Sequence, residues 1–144
     1  MLKSFIFGAI LLTPAVTVQE HEHSVPAVQA LGNVRFATSC NSQAQSHFVR
    51  GLALLHSFAF QGSVDAFNQA LKADSGCAIA YWGLALNAWG NPFAAGNKAV
   101  AQLQRGLDAV EHGRAVGANT DREREYILAA SRLFVDFPVV DQRR

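Results

Sequence analysis

The chain has 144 residues, of which 50% are hydrophobic and 16% charged, and its formal net charge is +1. Such a composition excludes a polyelectrolyte tail and a collagen-like repeat, and it fits one globular domain or part of one. No basic stretch is longer than Arg143-Arg144, so the charge offers no footprint for nucleic acid or an anionic membrane surface.

Met1-Leu2-Lys3 is a short basic start, and Ser4 to Val18 is apolar, with Phe5, Ile6, Phe7, Ile10, Leu11 and Leu12 clustered before Pro14. This is the layout of a secretory signal peptide, expected over residues 1–19 with cleavage near Thr17 to Gln19. The apolar run falls short of the roughly 20 residues a bilayer crossing needs and Pro14 interrupts it, so no stable membrane anchor is expected after cleavage. The exported chain is placed in the periplasm or outside the cell. Residues 20–40 read as a flexible mature N-terminus. Within them His21 and His23 alternate with Glu20 and Glu22, a set that could chelate a transition metal, since imidazole and carboxylate are both ligands. Without a folded cage around them, the simpler reading is a solvated tail.

From residue 41 the pattern is helical. Phe48, Leu52, Leu55 and Ala59 recur at three to four residues and predict a helix from Asn41 to about Phe58. Gln61-Gly62-Ser63 reads as a break, and Ser63 as the N-cap of a second helix running to Ala73, with Ala66, Phe67 and Ala70 on one face. Cys77 to Trp89 predicts a third, closed by Gly90-Asn91-Pro92. Lys98 to Val116 predicts a fourth, ended by Gly117. Thr120 reads as the cap of a fifth, over residues 121–136. No segment asks for a strand, and the expected fold class is all-α.

Charge is unevenly spread along these elements. Residues 41–90 carry only Arg50, Asp65, Lys72 and Asp74, yet they hold Phe48, Phe58, Phe60, Phe67, Tyr81, Trp82 and Trp89. That stretch must be covered, either by its own packing or by neighbours.

The spacing His47-x2-Arg50-Gly51-x2-Leu54 returns 34 residues later as Tyr81-x2-Leu84-Ala85-x2-Ala88, and Ser63-x3-Phe67-x2-Ala70 supplies the helix between. This resembles a tetratricopeptide repeat. The resemblance implies antiparallel helical hairpins stacked as a short solenoid over residues 41–144. Small residues belong where helices cross, as at Gly51, Ala70 and Ala85, and a large one fills the gap between hairpins, as at Phe67. The pattern departs at Ser75, where a proline is usual, at Arg50, where an apolar residue is usual, and in extra residues around Asn91 to Asn97. More narrowly, Thr38-Ser39-Cys40, Leu54-Leu55-His56-Ser57-Phe58, Tyr81-Trp82-Gly83 and Asn91-Pro92-Phe93 resemble a group of exported bacterial tetratricopeptide-repeat proteins of unassigned activity. Those proteins are generally longer, so the chain is expected to be their N-terminal portion.

In a helical hairpin the start of the first helix and the end of the second lie together, which brings Cys40 toward Cys77. Three readings stand open for the two thiols: a structural disulfide, which export favours, two separate buried thiols, or metal or redox work. His47 and His56 are nine residues apart, about 900° of helical rotation, and face opposite ways. They form no one-face metal pair, and His56 reads as a hydrogen-bonded packing histidine.

No nucleophile elbow, zinc-binding helix motif, phosphate loop or paired-carboxylate run occurs, so the chain is read as a non-enzyme without a cofactor. The resemblance places Phe48, Leu52, Leu55, His56, Trp82, Leu86 and Trp89 on the inner curve of the solenoid, with Asn87 beside Trp89. This aromatic face is the predicted site for a protein or peptide partner, aromatic side chains being favoured interface anchors. The alternative is a metal- or cofactor-binding exported protein using His21 and His23.

Overall fold

Asn41 sets the first helix in place: its side chain accepts from the Ala44 amide at 2.8 Å, and α1 follows over Ser42–His56. The structure is a computed structural model that describes residues 31–94 and 97–137. Beyond α1 come α2 (Phe60–Ala73), α3 (Ile79–Trp89), α4 (Val100–Val116), α5 (Asp121–Ser131) and a closing 3₁₀ turn, Arg132–Phe134. No strand occurs among the described residues, and the fold is all-α.

Two of the expected boundaries differ in ways that matter for the site. The first helix turns at Phe58, which adopts φ of +58°, and α2 begins three residues before Ser63. Ser63 is therefore no N-cap. It lies inside α2, fully buried, and its hydroxyl donates to the Gly51 carbonyl at 2.8 Å. Gly62 is absorbed into the helix, where it faces the Leu54 side chain. A methyl there would lie 3.5 Å from Leu54, an ordinary contact, so the packing of α2 on α1 carries Gly62 in the helix despite a propensity cost of about 1 kcal/mol. At the other end, α5 stops at Ser131 rather than 136, and the chain leaves through the 3₁₀ turn to Asp136 at φ of +49°. The ends of α3 and α4 fall as expected. Gly90 and Gly117, at φ of +75° and +79°, supply the left-handed residue each stop requires.

The helices pair in sequence. Asn41 donates from its amide to Asp74 at 2.8 Å and from its side chain to the Ala73 carbonyl at 2.8 Å, so the start of α1 abuts the end of α2. The Cys40–Cys77 disulfide closes the same end, with Cα atoms 4.9 Å apart. Of the three readings of the thiols, pairing is the one realised. At the other hairpin Tyr81 stacks on His112 with centroids 5.8 Å apart, and Gln102 donates to the Ala88 carbonyl at 2.7 Å, so α3 and α4 also run antiparallel. Phe67 lies between the hairpins, fully buried, and α5 packs on α3 and α4.

Residues 34–40, part of the segment 20–40 expected to be flexible, are packed rather than free. Phe36 sits against Phe48 (5.2 Å between centroids), Trp82 (6.0 Å) and Tyr126 (5.4 Å). Gln45 donates to the Phe36 carbonyl at 2.7 Å, and Arg122 donates to the Ala37 carbonyl while lying over the Phe36 ring. The segment is a strap joining α1, α3 and α5. Its aromatic anchor is partly buried and contributes up to about 1.5 kcal/mol through removal of apolar surface from water.

Candidate functional site

The eight residues predicted to bind a partner divide between interior and surface. Phe48, Leu52, Trp82 and Asn87 are buried, with Phe48 fully enclosed and Trp82 only 9% exposed. They are not available to a partner. Phe36 of the strap covers Phe48 and Trp82, whereas Asn87 is enclosed against α2, where its Nδ2 donates to Ser63 Oγ. Replacing Trp82 would therefore test the core and not recognition.

Leu55, His56, Leu86 and Trp89 are brought together at the far ends of α1 and α3, where they line an apolar groove of about 390 Å³. Helical spacing explains the grouping. Leu55 and His56 end α1, Leu86 and Trp89 are three apart on α3, and both helices run the same way. The groove is completed by side chains from outside the predicted set, namely Phe58 and Phe60 at the α1–α2 turn, Pro92 and Phe93 after α3, and Leu133 from the 3₁₀ turn. Phe93 is 84% exposed and Phe58 51%, so two aromatic rings stand at the rim in contact with water. Trp89 is held in place by Phe134, edge to face at 6.0 Å, and by the Lys98 ammonium 4.8 Å above its ring. Aromatic walls with exposed aromatic edges suit hydrophobic contact; among the described residues no nucleophile or acid–base pair lines the groove.

His56, expected to be a hydrogen-bonded packing histidine, is exposed, and its ring makes no hydrogen bond among the described residues. His47 lines a different hollow with Arg50 and Asp65, so the two histidines do stand apart as their spacing requires. Asn87 is placed by α3 so that its Nδ2 donates to Ser63 Oγ at 2.9 Å and to the Gly83 carbonyl at 2.8 Å. A second hollow beside the groove, about 570 Å³, is lined by Asn87 together with Gln61, Gln102 and Arg105.

His21 and His23 lie outside the described residues, as does the expected signal peptide. Among the described residues no group of three or more His, Cys, Asp or Glu is placed to hold a metal ion, and no helix is long and apolar enough to cross a membrane. The rim residues Phe58 and Phe93 carried a signal that sequence reasoning passed over: each is a large aromatic in a turn, where polar residues and glycine are the norm. The chain matches no family model, no curated protein and no solved structure at a significant level.

Proposed function

We propose that this chain is a non-catalytic binding module of the cell envelope or extracellular space, built as a short tetratricopeptide-like solenoid, which captures a protein or peptide segment in the groove between the ends of α1 and α3. One observation carries the reading: Leu55, His56, Leu86 and Trp89 converge on a single apolar hollow whose rim exposes Phe58 and Phe93. Apolar surface of this kind, with ordered aromatic walls, is stabilised by removal from water and marks contact sites.

The solenoid reading draws support from two successive antiparallel hairpins with small residues at their crossings. Export draws support from the Cys40–Cys77 bridge, since disulfides persist in oxidising compartments. The test is selection of a random-peptide phage library on the immobilised chain, repeated on a Phe93→Asp variant. Phe93 is so exposed that the substitution leaves folding intact. Peptides retained by the parent chain and lost from the variant are the expected result. Equal retention by both rejects the groove as the binding site.

A further inference from the structure

We propose that residues 34–39 of the strap are a built-in occupant masking a second peptide site on α1, α3 and α5, and that the partner this site takes in trans is an extended segment of the same chemistry: an aromatic residue followed, two and three positions on, by a pair of hydroxyl residues. With the strap seated, Phe48 and Trp82 are closed to any partner; lifting it opens them. The site shares no lining residue with the groove at the far ends of α1 and α3, and neither needs the other.

The strap is held as a separate peptide would be. Among the described residues it makes no backbone-to-backbone hydrogen bond, and each main-chain bond it makes to a helix goes to a side chain. Gln45 takes two positions at once: its Nε2 donates to the Phe36 carbonyl at 2.7 Å and its Oε1 accepts from the Thr38 amide at 2.7 Å. One side-chain amide thus pairs with an extended main chain as a neighbouring strand would. Arg122 donates to the Ala37 carbonyl, and Glu123 accepts from the Ser39 amide. Side chains alternate along the segment, Val34, Phe36 and Thr38 being half-buried and Arg35 and Ala37 exposed.

These contacts set the partner's chemistry. Phe36 enters a box of Phe48, Trp82 and Tyr126, which suits an aromatic ring. Thr38 Oγ1 donates to Gln45 Oε1 at 2.7 Å and Ser39 Oγ to Glu123 Oε2 at 2.6 Å, so both acceptors call for hydroxyls. Glu123 is a buried carboxylate and repels an acid at the last position. Attachment makes the occupant exchangeable. The Cys40–Cys77 bridge fixes the strap's C-terminal end, while residues 34–39 upstream are held by side-chain contacts alone and can lift with the bridge closed. A segment with one partly buried ring and no main-chain ladder opens at low free-energy cost.

The probe is a fluorescently labelled synthetic peptide of residues 33–39, offered to the full chain and to its Phe36→Ala variant, whose own strap has lost its anchor. A tethered competitor acts at an effective concentration of about millimolar, so the variant should bind the peptide about tenfold or more tighter than the parent chain. Saturation should raise the variant's thermal midpoint and shift its Trp82 indole resonance. The same peptide with alanine for its phenylalanine, or aspartate for its last serine, should not bind. If Phe36→Ala does not fold alone, the peptide should restore its near-ultraviolet circular dichroism, and Phe36→Leu then carries the affinity comparison. No binding, equal affinity for parent and variant, equal binding of the phenylalanine-free peptide, an unfolded variant that the peptide does not rescue, or movement of the Trp89 indole resonance without that of Trp82 each overturns the proposal and leaves the groove reading standing.

Discussion

Ser39 and Glu123, 84 positions apart, are joined by two short hydrogen bonds: the Ser39 amide donates to Glu123 Oε1 at 2.7 Å and its hydroxyl to Oε2 at 2.6 Å. Glu123 is 1% exposed, so the two donors of Ser39 are what compensate a carboxylate taken from water in the first turn of α5. The strap is thereby tied to the last helix. Ser39→Ala removes one charge-assisted bond and should destabilise the chain by about 1.5 to 3 kcal/mol in urea unfolding. Glu123→Ala removes both acceptors and leaves the Ser39 amide unpaired, so it should cost more. A Ser39→Ala midpoint equal to that of the parent chain would show that the pair contributes nothing.

Glycine at the helix crossings is set by contact with aromatic rings. A methyl at Gly83 would lie 2.3 Å from Phe67, one at Gly106 2.1 Å from Phe134, and one at Gly51 3.0 Å from Phe67. Alanine gains about 1 kcal/mol of helix propensity at any of them. Overlap outweighs that gain at Gly83 and Gly106, where Gly→Ala should cost on the order of 1 to 3 kcal/mol net, and the two effects nearly cancel at Gly51. Thermal denaturation should rank the three in that order. Phe67→Leu should recover part of the Gly83→Ala loss and none of that of Gly106→Ala.

The Cys40–Cys77 bridge closes a loop with a sequence separation of 37. On the chain-entropy account a loop of that size stabilises by about 4 kcal/mol, and it also anchors the strap that covers Trp82 and Phe48. Cys40→Ser with Cys77→Ser should lower the unfolding free energy by about that amount, and reduction of the parent chain should do the same. Unchanged denaturation midpoints under reducing conditions would contradict this.

The helices and the approach of Cys40 to Cys77 were legible because they depend on periodicity and on hairpin geometry, both local properties of the chain. The buried half of the predicted face was misassigned for a different reason. Phe36 packs on Phe48, Trp82 and Tyr126 through contacts that no helical period announces, since the strap itself has none. Glu123 and Ser63 were hidden in the same way. As Thr120 caps α5, a glutamate three residues on reads as a capping-box partner, and a serine after Gln61-Gly62 reads as a cap, until their long-range partners are known. Groove residues on α1 and α3 were reached through the repeat resemblance, which assigns a face to each helix. Phe58, Phe93 and Leu133, which arrive from turns, could not.

Phe58 combines strain with exposure. Its φ of +58° lies in the left-handed region, where a bulky side chain is disfavoured, and its ring is half exposed at the rim of the groove. It closes α1 through its own amide, which donates to the Leu55 carbonyl at 3.1 Å, a backbone role that glycine performs as well. Its ring touches Phe60, with centroids 6.0 Å apart, but buries little else. Phe58→Gly should therefore raise the unfolding free energy by up to about 1 kcal/mol while removing one wall of the groove and weakening peptide capture. Opposite signs in the two measurements are expected, because an unfavourable backbone state held at a rim position has no structural benefit to offset it. A variant that is both less stable and equally competent in binding would show that Phe58 belongs to the packing of the α1–α2 turn and not to recognition.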